Sequence, residues 1–481
     1  MINLEQYHFS IDSIGLEETW NIILKEYYPS DFFSSERLGG LYEDGLAYEN
    51  KIEKKAMGKY YTPIDVAEVM AEYLLRFPEE NICDVCCGTG NLILAVLDKM
   101  GTTAAVEAIK NKHIYLYDID PIAIKICQAI IKNKYGYSAN IFIGDCLDKN
   151  IHFPPDSKVI SNPPYGKLES LKNYHYNCAK KTKEQYVAFM EKILEENVAG
   201  VIITPHSFMC GSTFKILREE MVEKGGYIFS FDNVPGNIFK GKKYGIFNSN
   251  EANSTRAAIS IIDPKMKGYY ISPFIRFKTE EREQVLNNDF LDSLLPDTIQ
   301  KDSKLFYRTQ KGTEEIVAKW LSSKKTLKNI LTTERTEYRL DVPNTCRYFT
   351  TGSYKVLDRS GKMTIYFKNE QDFILGYAFV NSSFCYYWHR MCNGGITYPI
   401  SLLKEMPIFD IYSEDLKEYC LNLISEEEDF LVYKTNAGAD QENIKFPESY
   451  RKKLNEFLIN ALGAEWFDLE VVHLNSCIKQ K

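Results

Sequence analysis

Asn162-Pro163-Pro164-Tyr165 closes an apolar, strand-like run, Lys158-Val159-Ile160-Ser161, in a rigid polar turn. Two consecutive prolines fix the backbone and cannot carry the strand onward. The Asn162 side-chain amide and the Pro163 carbonyl can then converge on one small planar polar group while the Tyr165 ring stacks on it. An exocyclic amine on a base and a glutamine amide both have that shape. No side chain of the turn has to be alkylated or to titrate, so the turn suits transfer of a group to a held amine.

A second constellation lies upstream. Asp84-Val85-Cys86-Cys87-Gly88-Thr89-Gly90-Asn91 follows a strand pattern and opens a helical one, and glycines there let the backbone bend tightly and approach a ligand. A nicotinamide or flavin site would want a third glycine at position 93, where Ile93 stands. That departure disfavours an oxidoreductase. The next strand ends in Asp118-Ile119-Asp120-Pro121, and a carboxylate at a strand tip can accept both hydroxyls of a ribose. Asp118 is the choice for that role, with Asp120 as the cap of the helix that begins at Pro121. After the third strand, Gly144-Asp145-Cys146 offers Asp145 as an acceptor for an adenine amine, although spacing alone serves a solvated loop carboxylate equally well. The cofactor set expected from these turns is Asp84, Cys86, Gly88, Gly90, Asn91, Asp118, Ile119, Asp145 and Cys146. With the polar turn, it describes an S-adenosyl-L-methionine-dependent amino-methyltransferase.

These turns need a parallel sheet to hold them. Short β-rich runs alternate with helical periods between about 58 and 265, the pattern of a sheet covered on both faces. Strands are expected at 82–86, 114–118, 140–143, 158–161, 200–204, 227–231 and 257–262. The expectation is an α/β fold with a seven-stranded Rossmann-like sheet. Residues 1–57 read as a helical arm without assigned chemistry, 58–265 as the catalytic domain, 266–410 as a recognition domain of mixed pattern, and 411–481 as a C-terminal helical segment.

The motifs in this order resemble the γ group of DNA adenine-N6 methyltransferases, which includes modification subunits of restriction systems, type II modification enzymes and fused Eco57I-like enzymes. Gly58-Lys59-Tyr60-Tyr61-Thr62-Pro63 looks like the family's first motif; the resemblance implies that Tyr61, Thr62 and Pro63 lie near the methionine end of the cofactor. Asn162, Pro163, Pro164 and Tyr165 match its catalytic motif, and Asn237-Ile238-Phe239-Lys240 its target-base loop. Phe239, Lys240 and Tyr244 are therefore the expected base contacts, with Phe247 an alternative to the aromatic. Leu375 to Ser383 and Leu402 to Pro407 look like segments that close many recognition domains. The family fold would be that of class I S-adenosylmethionine-dependent methyltransferases with a C-terminal target-recognition domain. The implied activity is methylation of a flipped adenine in double-stranded DNA, with a restriction endonuclease as a cognate partner.

The bulk properties fit that expectation. The net charge of −8 argues against a chain that coats nucleic acid indiscriminately. Residues 301–370 nevertheless hold 15 Lys and Arg against 8 Asp and Glu, a plausible partner for a phosphate backbone. In that stretch the candidates are Lys301, Lys304, Arg308, Lys311, Lys324, Lys325, Lys328, Arg335 and Arg339. Cys83-x-x-Cys86 has no second pair at zinc spacing, so no metal site is expected and the thiols read as reduced and buried. No segment reaches the roughly 20 apolar residues of a bilayer span, which leads to a cytoplasmic expectation without membrane partners. Three rivals stay open: an RNA or protein-glutamine amino-methyltransferase, a bifunctional restriction-modification enzyme, and a non-enzymatic DNA-binding module.

Overall fold

The computed structural model describes residues 4–26, 35–49, 62–168, 174–239, 255–346, 349, 351–436, 439–463 and 477–478. The chain forms two compact units, one of Met1–Leu295 with Ile299–Phe306 and Asn475–Lys481, the other of Pro296–Thr298 with Tyr307–Leu474.

In the first unit, eight strands form one sheet: β1 (Asn81–Val85), β2 (Ile114–Asp118), β3 (Asn140–Ile143), β4 (Ser157–Ser161), β5 (Ala199–Pro205), β6 (Gly226–Phe231), β7 (Ala257–Ile262) and β8 (Tyr269–Ile275). Their order is β3-β2-β1-β4-β5-β7-β6-β8. β1 to β5 run parallel, and β7 is antiparallel to both β5 and β6. Strand parity divides the core. Ile82, Val201 and Ile203 pack into one apolar layer and Cys83, Val85 and Ile202 into the other, because successive side chains leave a strand on opposite faces.

The eighth strand corrects the expected boundary at 265. Pro273 breaks the β signal of Tyr269 to Ile275 and demotes the run to a loop or an edge. The structure accommodates it as the last strand of the sheet, parallel to β6, with the register slipping between Ile228 and Ser230. Pro273 falls in that irregularity, and the Ser230 amide donates to the Ser272 hydroxyl at 3.0 Å in place of a ladder partner. Residues 299–306 are tied to the same unit by Arg218, which is buried. Its guanidinium donates to the carbonyls of Phe208, Gly211, Ser303 and Lys304 at 2.7–2.8 Å.

Helices cover both faces. Asp120 caps Pro121–Tyr135, accepting from the amides of Ile122 and Ala123, and Gly136 ends it at φ 80°. Asn91–Met100 starts at Gly90, with φ 97°; a Cβ there would stand 2.4 Å from Cys127 Sγ, so only glycine fits. The N-terminal helices Leu4–Ile14, Leu16–Glu26 and Ser35–Glu49 bury Tyr7, Trp20 and Tyr42 in the first of the two apolar layers.

The second unit combines buried helices with small antiparallel sheets. Strands Leu331–Thr332, Arg339–Pro343 and Lys362–Phe367 form one sheet. Helices Glu370–Asn381 and Ser383–Cys392 follow, both almost wholly buried. Asn381 Oδ1 accepts from the Gly352 amide at 2.8 Å and Ser382 Oγ from that of Phe384, so the Leu375–Ser383 segment is held by its own polar groups. Residues 411–481 are not simply helical: a hairpin, Leu431–Asn436 with Ala439–Ile444, stands between helices Glu414–Ser425 and Glu448–Leu462. Leu431-Val432-Tyr433 supplies the β-favouring residues. Two of the expected phosphate ligands are engaged within the protein. Arg308 is 2 % exposed and the half-buried Arg339 is committed to the buried Asp341; Lys325 is half-buried, whereas Lys301, Lys304, Lys311, Lys324, Lys328 and Arg335 are exposed. No helix among the described residues is long and apolar enough to cross a membrane.

Candidate active site

Strand order reverses between β1 and β4, and in open α/β sheets ligands bind outside the carboxyl ends of the strands at that switch point. The turns after β1, β2, β3 and β4 meet there around a cavity of ≈ 210 Å³. Thr62, Cys86, Gly88, Asn91, Asp118, Ile119, Asp145, Cys146, Asn162 and Pro164 all line it.

The turn after β1 is wound tightly, with Cys86 at φ 64° and Gly88 at φ 53°. The Gly88 amide donates to Asp118 Oδ2 at 2.7 Å, and the Asp120 amide to Asp118 Oδ1 at 2.8 Å. Asp118 is thus fixed between the first two turns, while Asp120 serves its own helix. Asp145 accepts from the Leu147 amide through Oδ1 at 3.0 Å and from the Tyr174 hydroxyl through Oδ2. Burial foremost, then that bond, raises the Tyr174 phenol, which keeps it a donor at neutral pH.

Thr62 joins the loop after β1 to the polar turn. Its carbonyl accepts from Asn91 Nδ2 at 3.1 Å and its hydroxyl from Asn162 Nδ2 at 3.0 Å. An amide whose nitrogen is committed on one side presents its oxygen on the other. Thr62 is 3 % exposed, so the relay is shielded from competing water. Tyr165 stands beside the cavity rather than on its wall: its hydroxyl donates to the Ile203 carbonyl at 3.3 Å. The rings of Tyr165 and Phe239 lie 6.0 Å apart at 67°, edge to face.

Some candidates take other places. Asp84 lies beneath the loop, fully buried, with Oδ2 accepting from the Ile93 amide at 3.0 Å. It secures the start of helix Asn91–Met100 instead of lining the cavity. Gly90 packs on Cys127, Pro63 starts helix Ile64–Leu75, and Pro163 lies off the cavity wall. Tyr61, Lys240, Tyr244 and Phe247 lie outside the described residues. Conversely, Leu147, Leu168, Tyr174, Gln185 and Phe189 line the cavity without having been expected. Gln185 and Phe189 are four apart on helix Gln185–Glu195, so one face of that helix supplies both; this spacing was the available signal.

Cys86 and Cys146 both line the cavity. Burial foremost, and the neighbouring Cys146 next, push the Cys86 thiol well above its ordinary range.

The sheet order, with its antiparallel β7 between β5 and β6, and the cavity at its switch point are those of a class I S-adenosylmethionine-dependent methyltransferase. Residues 34–291 match the model of the N-6 DNA methylase family, and the chain belongs to that family. The type II methyltransferase M.VspI of Vibrio sp. (strain 343) is 34% identical over 161 residues, 32% of this chain and 35% of that protein. The methylase subunit of the type I restriction enzyme MjaIX of Methanocaldococcus jannaschii is 29% identical over 147 residues, 30% of this chain and 25% of that subunit. These matches span about a third or less of the curated relatives' length. Among solved structures, a nuclease-deletion mutant of the type ISP restriction-modification enzyme LlaGI, in complex with a DNA substrate mimic, aligns at TM-score 0.47 and 12% identity. The alignment covers 85% of this chain and 60% of that one.

Proposed function

We propose that the chain is a site-specific methyltransferase acting on the N6 amine of adenine in double-stranded DNA, as the modification activity of a restriction-modification system. The observation that carries this is the relay Asn91–Thr62–Asn162, which sets the amide of the polar turn at the edge of the cofactor cavity. The donor set fits S-adenosylmethionine. Asp118 offers a strand-tip carboxylate to the ribose hydroxyls and Asp145 one to the adenine amine, with Ile119, Leu147 and Phe189 as apolar cover. When bound, this cofactor supplies an electrophilic methyl group on a sulfonium.

The adenine N6 lone pair is delocalised into the ring and is a poor nucleophile. Asn162 Oδ1 and the Pro163 carbonyl accept the two N6 hydrogens, draw the nitrogen toward tetrahedral geometry and turn its lone pair outward. Rotating the base out of the duplex costs a few kcal/mol, and stacking on an aromatic ring returns about 1–3 kcal/mol. Tyr165 and Phe239 supply such rings. Their edge-to-face arrangement means that one must turn to make a sandwich. In this reading the phosphate contacts come from among Lys301, Lys304, Lys311, Lys324, Lys328 and Arg335, most of the others being ordinary solvated charges.

The test is to express the chain in a methylation-free host and to sequence the DNA by a method sensitive to N6-methyladenine, with Asn162→Ala in parallel. One motif modified by the wild type and not by the variant supports the proposal. Label from S-adenosylmethionine that enters only RNA or a polypeptide would refute it, and magnesium-dependent cleavage by the pure chain would favour a bifunctional enzyme.

A further inference from the structure

The N-terminal helices carry no motif, yet one of them touches both the turn after β2 and the glycine turn after β1. Tyr42 is 3 % exposed, a burial that a phenylalanine would tolerate as well, but its hydroxyl donates to Asp120 Oδ2 at 2.8 Å. The Asp120 amide holds Asp118 Oδ1 at 2.8 Å, and Asp118 Oδ2 holds the Gly88 amide at 2.7 Å. Three hydrogen bonds therefore run from an N-terminal side chain, through the strand-tip acid, to the backbone of the glycine turn. Burial foremost, and the Asp120 charge next, push the Tyr42 phenol far above its ordinary range, so it remains a donor at any working pH.

One turn earlier on the same helix, Gly39 is buried against that glycine turn. A Cβ at position 39 would stand 2.8 Å from Thr89 Oγ1 and 3.9 Å from Asn91 Oδ1. Thr89 is fully buried between Gly88 and Gly90. Glycine inside a helix costs about 0.5–1 kcal/mol relative to alanine, and here its smallness permits the close approach.

We propose that helix Ser35–Glu49 is part of the cofactor machinery, with Tyr42 and Gly39 as positioning residues for the Asp118–Asp120 turn and the loop 86–91. This rests on the reading of the cavity as the S-adenosylmethionine site. Neither residue lines the cavity: Tyr42 acts through Asp120 and Asp118, which do, and Gly39 through Thr89, which sits between the lining residues Gly88 and Asn91. Such a helix couples the docking of the N-terminal segment to cofactor affinity.

The experiment measures S-adenosylmethionine binding to the full chain by calorimetry, together with KM, kcat and cofactor-free melting, for wild type, Tyr42→Phe, Gly39→Ala and Gly39→Ala/Thr89→Ala. Tyr42→Phe is expected to raise Kd and the cofactor KM about tenfold, as for loss of one charge-assisted hydrogen bond, with kcat at saturating cofactor unchanged. Gly39→Ala is expected to weaken binding similarly, and Thr89→Ala in the same chain to recover most of that loss by removing the atom that the new methyl meets. A purely structural role would lower melting in all variants and leave the Kd of folded protein unchanged. Wild-type binding with unchanged affinity in Tyr42→Phe would overturn this proposal alone, as would a Gly39→Ala loss that Thr89→Ala fails to recover. Absence of wild-type binding would overturn the cavity reading and this proposal together.

Discussion

Asp84→Asn should flatten the pH dependence of stability while leaving cofactor affinity intact. The carboxyl is pushed from its ordinary 3.8 up to about 8. Burial is the main cause; the Ile93 amide opposes it and the Asp118 charge adds to it. Below pH 3.8 folded and unfolded chains both hold the proton, and nothing is lost. Between 3.8 and about 8 only the folded chain holds it, so stability falls as pH rises, and above about 8 the loss is complete. At 1.36 kcal/mol per pKa unit, the interval from about pH 5.5 to about pH 8 should cost the wild type roughly 3 kcal/mol from this group. Asparagine keeps an acceptor for the Ile93 amide and cannot ionise. Its amine enters the place of Oδ1, which is buried with no hydrogen-bond partner among the described residues, at a pH-independent cost of about 1–2 kcal/mol. Urea denaturation at both pH values measures the difference, because titrations shared by the two proteins cancel. The variant should gain on the wild type by about 3 kcal/mol across that interval. Parallel pH profiles would show that Asp84 is ionised in the folded chain and refute the reasoning. A large loss of cofactor affinity would return Asp84 to the cavity wall.

Asn162→Ala is expected to lower turnover about a hundredfold or more, as for loss of one preorganised polar contact, with cofactor binding close to normal by calorimetry. Asp118→Ala should instead weaken cofactor binding chiefly, and unchanged affinity would move the ribose contact elsewhere. Cys86, half-buried on the cavity wall beside Cys146, should be alkylated slowly at neutral pH, faster as pH rises toward its elevated thiol pKa, and more slowly with S-adenosylmethionine bound; peptide mass spectrometry reads all three. Arg218→Lys should destabilise the first unit by about 2–4 kcal/mol in urea denaturation, since one ammonium cannot serve the four carbonyls that the planar fork reaches.

Much of the first sheet was legible because seven strands announce themselves as short β-branched or apolar runs between helical periods, and their observed bounds differ from the expected ones by a residue at most. β8 was not, because Pro273 looks like a break until a serine hydroxyl and a register slip accommodate it. The hairpin of Leu431–Asn436 and Ala439–Ile444 was hidden between strongly helical, acidic neighbours. At the site, strand-tip acids were readable because the end of a strand fixes where a side chain must be. Parity carried the missing information about Asp84, which is two residues from Ile82 and so shares its face, toward the helices rather than the cavity. Tyr174 had no motif to announce it, and Gln185 and Phe189 had only their four-residue helical spacing, since all three reach the cavity through tertiary packing.

The N-terminal helices show where motif reading stops and packing begins. Motifs mark residues that face a cavity, and Thr62, Asn91 and Asn162 line this one. Their geometry is fixed by polar partners, and an amide taken from water and left unpaired costs about 1–3 kcal/mol, a carboxylate more. Each cavity-lining polar group therefore needs a second residue to hold it: Thr62 for Asn162, Gly88 for Asp118, Tyr174 for Asp145. Tyr42 extends the series by one step, holding Asp120, which holds Asp118. A residue at that remove needs only the right donor in the right place, so its sequence neighbourhood gives no sign of its role. If the chain of bonds transmits position, perturbing its far end should alter cofactor affinity and spare the methyl-transfer step, which is the split between KM and kcat expected for Tyr42→Phe.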